Sequence, residues 1–300
     1  MRLFCRRLFG CILPLFLGAR PLIALDLYVA DFHNNSIERF DSGGHSTVYA
    51  NSGLDGPMGL AFDNSGDLYV GNWNAGTVVK FDSSGHQTLF AAGLSNPRGL
   101  ACDSFGNLYV ANYNGGDVVK FDSAGHGSVF AAGLNQPTGL TFDSHGNLFE
   151  ADRNNQILKI DSGGHETVFA STGSTGPGPE GLVFDPAGNL YVANYWNNAI
   201  YRFGPNGSGG IFASTGSGYN NPFGLAYANG TLYASCNVDQ IEAFDANGNA
   251  TFFASTLAAP WFMAVQPVPE PSAIVLLLTG TGLILQCWRP RPYKPTSAAR

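Results

Sequence analysis

The tripeptide LYV, or a near variant, recurs at Leu27, Leu68, Leu108, Leu148, Leu190 and Leu232, at spacings of 41, 40, 40, 42 and 42 residues. A period of this length means an array of supersecondary units, none of which buries its apolar surface alone. One unit, NPRGLACDSFGNLYVANYNGGDVVKFDSAGHGSVFAAG, contains four short apolar runs: Gly99–Cys102, Leu108–Asn112, Val118–Phe121 and Ser128–Ala131. Between them stand DSFGN, NGGD and SAGH, in which Asp and Asn close local turns and Gly supplies positive φ. Strands of about five residues joined by tight turns form an antiparallel sheet. The runs LYVA and GLAF are apolar on both faces, so each sheet must lie between neighbours. Radial packing of such units, a β-propeller, achieves this. A linear solenoid needs polar capping repeats at both ends, and the sequence has none.

The ends of the array predict a closed ring. The first unit begins at Leu27 without the PxGLAFD run that opens the others, and a surplus APWFMAVQP, Ala259 to Pro267, follows the sixth. The last strand is therefore expected to complete the first blade. First-strand elements, near Gly59, Gly99, Gly139, Gly181, Gly224 and Phe262, number six, as do the LYV runs. The predicted fold is an all-β, six-bladed propeller of four-stranded antiparallel blades. The pattern P-x-G-L-x-[FY], then D-x-x-G-N-L-Y-V-A-[ND], then an aliphatic run ending in K-F-D, resembles the NHL-repeat family over Leu27 to Pro267. That resemblance implies the propeller but not a function, because such folds host binding modules and enzymes alike.

Charge narrows the function. Residues 25–267 carry 7 Lys+Arg against 21 Asp+Glu, a net −14, which repels nucleic-acid phosphates. Only Cys102 and Cys236 lie in this body, and no disulfide or metal-binding spacing is present. Cys102 stands where sister units have Phe62, Phe142 and Phe184, and reads as a small buried hydrophobe.

Residues 1–24 have a basic start, an apolar run from Leu8 to Leu17 and a small residue, Ala24, for cleavage, the anatomy of a secretory signal peptide. At the other end, residues 271–288 are uncharged over 18 positions, of which eight are Leu, Ile or Val. As a helix they would span about 27 Å, enough for a bilayer core. Their side chains contribute roughly −2 to −5 kcal/mol to insertion, and the basic end then stays on the cytoplasmic side. VPEPS followed by this span and by arginines resembles the PEP-CTERM sorting signal, carried by Pro269, Glu270, Pro271, Arg289 and Arg291. The resemblance implies export through the inner membrane, transient anchoring through residues 271–288, processing by an exosortase-type enzyme, and release to the cell surface or extracellular matrix. The end Arg289 to Arg300 is longer than the usual basic stop of such tails. The expected organisation is signal peptide 1–24, propeller 25–267 and sorting tail 268–300.

Candidate functional residues cluster on one face of the ring. The PxGL entrances and the loops after LYVAN share a face; the DSxGN and SxGH turns share the other. At the entrances, the residue between Pro and Gly is Met58, Arg98, Thr138, Glu180, Phe223 and, at the closing strand, Trp261. Glu180 resembles the metal-binding Glu of gluconolactonase-like propellers. The other entrances lack the Asn and Asp that complete that site, and a divalent ion needs several converging oxygens. No metal or cofactor is expected. A ring of Asp31, Asn72, Asn112, Asp152, Asn194 and Asn237 reads as loop-capping, and His45, His86, His126 and His165 as hairpin-turn residues, one per blade. The loops after LYVAN carry Trp73, Tyr113, Tyr195 and Trp196 beside Asn amides, a combination suited to sugars or extended peptides. The ligand face therefore comprises Trp73, Tyr113, Tyr195, Trp196, Arg98, Glu180, Phe223 and Trp261. The expected function is a binding module for a glycan or matrix protein, neutral glycans being favoured over anionic ones by the −14 body. A secreted propeller hydrolase or lyase is the alternative.

Overall fold

A computed structural model describes residues 25–267, apart from 174, 175, 177, 217–219 and 259, together with Leu278–Thr279 and Gly282–Leu283 in the tail. Six four-stranded antiparallel sheets follow one another around the ring. In the third blade the strands are Pro97–Cys102, Leu108–Asn112, Asp117–Phe121 and Gly127–Ala132, within a residue or two of the runs read from sequence. The first blade takes its innermost strand, Pro260–Val265, from the end of the propeller. It pairs antiparallel with Leu27–Asp31, Leu27 opposite Val265 and Asp31 opposite Pro260, so the ring closes as expected. Of the tail, the two described dipeptides form a short antiparallel pair. The expected signal peptide, sorting motif and the rest of the 271–288 span lie outside the described residues. Among the described residues no helix is long and apolar enough to cross a membrane.

The absence of polar alternation has a direct structural outcome. The second strands of the first five blades, all of the LYVAN type, are buried at every position. Their aromatic residue wedges the blades together. Tyr109 makes edge contacts with Phe130 of its own blade and Phe142 of the next, with ring centroids 4.9 and 5.0 Å apart. Phe149 repeats the arrangement with Phe169 and Phe184, both at 5.0 Å. Edge-to-face geometry adds roughly 0.5–1.5 kcal/mol per pair to area burial. Between the second and third blades Tyr69 meets Phe90, but Cys102 replaces the second aromatic. Cys102 is half-buried rather than fully enclosed, and burial pushes its thiol up to about 12.

The glycine of PxGL sets the width of the channel. A Cβ at Gly139 would lie 2.0 Å from the Glu180 carbonyl oxygen, and one at Gly59 would lie 1.9 Å from that of Arg98. Innermost strands thus approach closer than any side chain permits, which is why this position reads Gly in five units. At the seam of the ring Phe262 takes the place and is buried.

Candidate ligand-binding face

The register of each blade brings the PxGL entrance beside the end of LYVAN: Pro57 opposes Asn72, and Pro179 opposes Asn194. The loops after LYVAN return to the same rim, as Trp73 N–H donating to Gly56 O shows. The expected sorting of loops between faces therefore holds. The Asn/Asp ring caps these loops in the first four blades, whereas among the described residues the Asn194 side chain makes no hydrogen bond. Asn72 Oδ1 accepts from the Asp55 amide at 3.1 Å and Asp152 Oδ2 from the Asn135 amide at 2.8 Å. In the sixth blade the ring position is Cys236, which opposes Pro222, and not Asn237. The one-residue difference arises because LYASC, like LYVAN, ends in the residue that faces the loop.

At the centre of this rim Arg98 and Glu180 form an ion pair at 2.8 Å. They come from the third and fifth blades and meet past Thr138, whose hydroxyl donates to Ala151 O at 2.7 Å and lies 2.9 Å from Pro179 O. Arg98 is 4% exposed and Glu180 2%. Burial raises the Glu180 carboxyl and lowers the Arg98 guanidinium, and the mutual attraction opposes both effects. A guanidinium keeps its proton in proteins, and that of Arg98 lies 2.8 Å from the Glu180 carboxyl. Three rings enclose Arg98, those of Tyr113, Trp261 and Trp73, at 5.0, 5.5 and 5.9 Å from its guanidinium carbon.

Around the pair the aromatic residues join into an arc. Tyr195 packs on Phe223 at 4.5 Å, Phe223 on Trp261 at 4.1 Å, and Trp261 on Phe32 at 5.6 Å. Trp73 and Tyr113 form a second pair at 5.1 Å. Seven of the eight candidates thus converge. The eighth, Trp196, stands 56% exposed beside Tyr195 in a short 3-10 turn, Tyr195–Asn197. Tyr113 and Phe223 are buried and support the rings above them. Two residues not foreseen complete the face. Phe32 extends the arc, and Arg153 donates from Nη1 to the Tyr113 hydroxyl. Both follow LYVAN-type runs, at the position that Trp73 and Tyr113 also occupy, so that position was their signal.

A third unforeseen residue lies below. Glu150 is fully buried on Leu148–Asp152, opposite Leu140, and neither carboxylate oxygen has a hydrogen-bond partner. Burial, and secondarily the Asp152 charge, holds its carboxyl well above the usual carboxylate range. Sister units have Val29, Val70, Val110 and Val192 at this position.

The turn histidines stay apart. His45, His126 and His165 each place Nδ1 3.0 to 3.2 Å from the Asp four residues earlier, on side chains 83% exposed. Among the described residues no group of three His, Cys, Asp or Glu is placed to hold a metal. The donors at the channel mouth do not fit a divalent ion. Its single carboxylate already meets Arg98, and the other entrances present Met58, Thr138, Phe223 and Trp261. Cavities on the opposite face are grooves between neighbouring blades. The one lined by Cys102, Tyr109, Phe130 and Phe142 holds about 440 Å³.

Solved structures share this architecture. A chain of a nidogen/laminin complex superposes with a TM-score of 0.72 at 19% identity, covering 81% of this chain and 98% of that one. Virginiamycin B lyase from Staphylococcus aureus gives 0.65 at 18% identity, covering 79% and 84%. A gluconolactonase candidate gives 0.64 at 15%, covering 79% and 89%. At these identities the likeness establishes the six-bladed fold alone. A scan against protein-family models finds no match, and neither does a search of curated proteins.

Proposed function

We propose that the propeller is a binding module of an exported bacterial protein, holding a glycan or a partner protein on the face built from Trp73, Tyr113, Tyr195, Trp196, Phe223 and Trp261. The observation that carries this reading is the aromatic arc around a neutralised ion pair. Rings at the rim offer stacking area, and Asn74, Asn114 and Asn197 offer exposed amides beside them. The structural neighbours include one protein from a protein–protein complex and others named as enzymes, so the fold itself favours neither class. A lactonase-type reaction is disfavoured because Glu180 is committed to Arg98. The tail supplies the export and sorting half of the proposal: Pro269, Glu270, Pro271, the apolar span, Arg289 and Arg291 stand in the order such signals require. An exosortase-type enzyme is the corresponding partner, and the cell surface or matrix the destination.

The test is a glycan array and a matrix pull-down with the full chain in detergent, against a variant carrying Trp73→Ala and Trp196→Ala. Both rings are partly exposed, so the melting temperature should barely move while captured ligand is lost. Undiminished capture by the variant, or loss only through unfolding, would reduce the rings to loop packing.

A further inference from the structure

The charge of the ligand can be read from where the cations of the propeller find partners. Arg39, Lys80, Arg98 and Lys159 each lie within 4 Å of a carboxylate, at Asp26, Asp67, Glu180 and Asp143. Among the described residues Lys120, Arg153 and Arg202 have no such partner. Only Arg153 stands on the aromatic face. Its guanidinium carbon lies 5.6 Å from the Tyr113 centroid, and its Nη1 is bonded to the Tyr113 hydroxyl. The neighbouring carboxylate, Asp152, is turned away into its own loop, where it accepts the Asn135 and Asn154 amides at 2.8 Å each. The charges that act on the Glu180 carboxyl are those of Arg98 and Arg153. Two guanidiniums and one carboxylate therefore meet at the mouth of a body of −14, while the Asp31 and Asp152 carboxylates of the same rim are engaged by their own loops. Two donors beside it, Arg98 Nε and Trp261 Nε1, are buried without an acceptor among the described residues.

We infer that this mouth is a carboxylate subsite, and that its ligand is an acidic sugar of the hexuronate class. The uronate carboxylate meets the free edge of Arg153, and the pyranose ring stacks on the partly exposed Trp73 and Trp261. This deepens the binding reading and rests on it. It also reverses the expectation drawn from the overall charge. At 0.15 M salt, charges more than about 8 Å away are largely screened. The acidic turns of the opposite face then have little influence, and the guanidinium without a carboxylate partner decides preference. A hydrogen bond to a charged group is worth at least about tenfold in affinity.

The probe is tetragalacturonate, compared with its fully methyl-esterified form and with tetraglutamate, by calorimetric titration of the full chain in detergent at 0.15 M salt. The acid should bind about tenfold or more tighter than the ester. Arg153→Gln should abolish that preference, the acid losing about tenfold or more relative to the ester, whereas Arg153→Lys should keep most of it. Melting curves of both variants establish that they are folded. Equal binding of acid and ester, or a preference that survives Arg153→Gln, would overturn the subsite. Tetraglutamate binding as tightly as tetragalacturonate would overturn the sugar assignment. If neither sugar binds but a neutral glycan or a protein is captured in the array and pull-down, the subsite falls and the binding module stands. If nothing is captured there, both fall.

Discussion

Replacing Glu180 by Gln tests how the channel mouth is held together. The change keeps the shape of the side chain and removes its charge. It leaves Arg98, 4% exposed, without a carboxylate. At the observed 2.8 Å the direct attraction in an effective dielectric of 20 is about 6 kcal/mol. Desolvation of both groups cancels much of this, and removing one partner of a buried pair typically costs about 3–5 kcal/mol. The three enclosing rings lower that figure only modestly, since they are already in place in the native protein. The propeller spans 243 residues, 25 to 267, for which an unfolding entropy of about 2.1 cal/mol/K per residue gives about 0.5 kcal/mol per degree. The melting temperature of Glu180→Gln should therefore fall by about 6–10 °C. Arg98→Met should fall by a similar amount, and the double variant Arg98→Met/Glu180→Leu should recover most of the loss, because a well-packed apolar pair replaces a buried ion pair at little cost. With Glu180→Leu also measured alone, calorimetry of the wild type, Arg98→Met, Glu180→Leu and the double variant completes the double-mutant cycle. A shift below 1 °C for Glu180→Gln, or a double variant as unstable as the sum of the singles, would refute the account of the pair as a mutually dependent buried plug.

Truncation of the chain before Pro260 should strip Phe262 and Met263 from the first blade, a loss of roughly 3–6 kcal/mol in burial alone, whereas truncation after Pro267 should be nearly neutral; equal melting temperatures for the two would contradict closure through this strand. Glu150→Val should stabilise the propeller increasingly as pH rises. The folded carboxyl is held above its ordinary 4.5, so in the wild type its stability is intact below that value and declines until the pH passes the folded pKa; denaturant midpoints of the two proteins that run parallel from acid to alkaline pH would sink this reading. In the tail, intact-mass measurement of the secreted protein from its own host should find a C-terminus short of Arg300, and replacement of Glu270 should leave the chain unprocessed. A secreted wild type that retains Arg300 would remove the sorting role.

The sequence alone determined the architecture, because each physical requirement repeats. Apolar second strands without alternation demand blades on both sides, and the missing first strand at Leu27 together with the surplus Pro260–Val265 demands closure. The turn Asp, Asn and Gly marked every hairpin, whereas the close approach of the inner strands at the glycine of PxGL emerged only from the structure. The loop face was legible too, since the alternation of strand direction assigns loops to faces without any side-chain detail. What the sequence could not give was pairing between residues distant along the chain. Arg98 and Glu180 are 82 positions apart on blades that are not neighbours, and only the curvature of the closed ring brings their side chains together. For the same reason Glu180, read from sequence as a polar contact on the ligand face, became half of an ion pair in place. Glu150 was visible as an odd residue at a valine position, but its burial without a partner depends on how closely the third and fourth blades pack. Arg153 appeared only as one cation among seven. That it alone of the described cations reaches the aromatic face unpaired follows from which carboxylates the fold turned away, such as Asp152 into its own loop, and that is decided by tertiary structure.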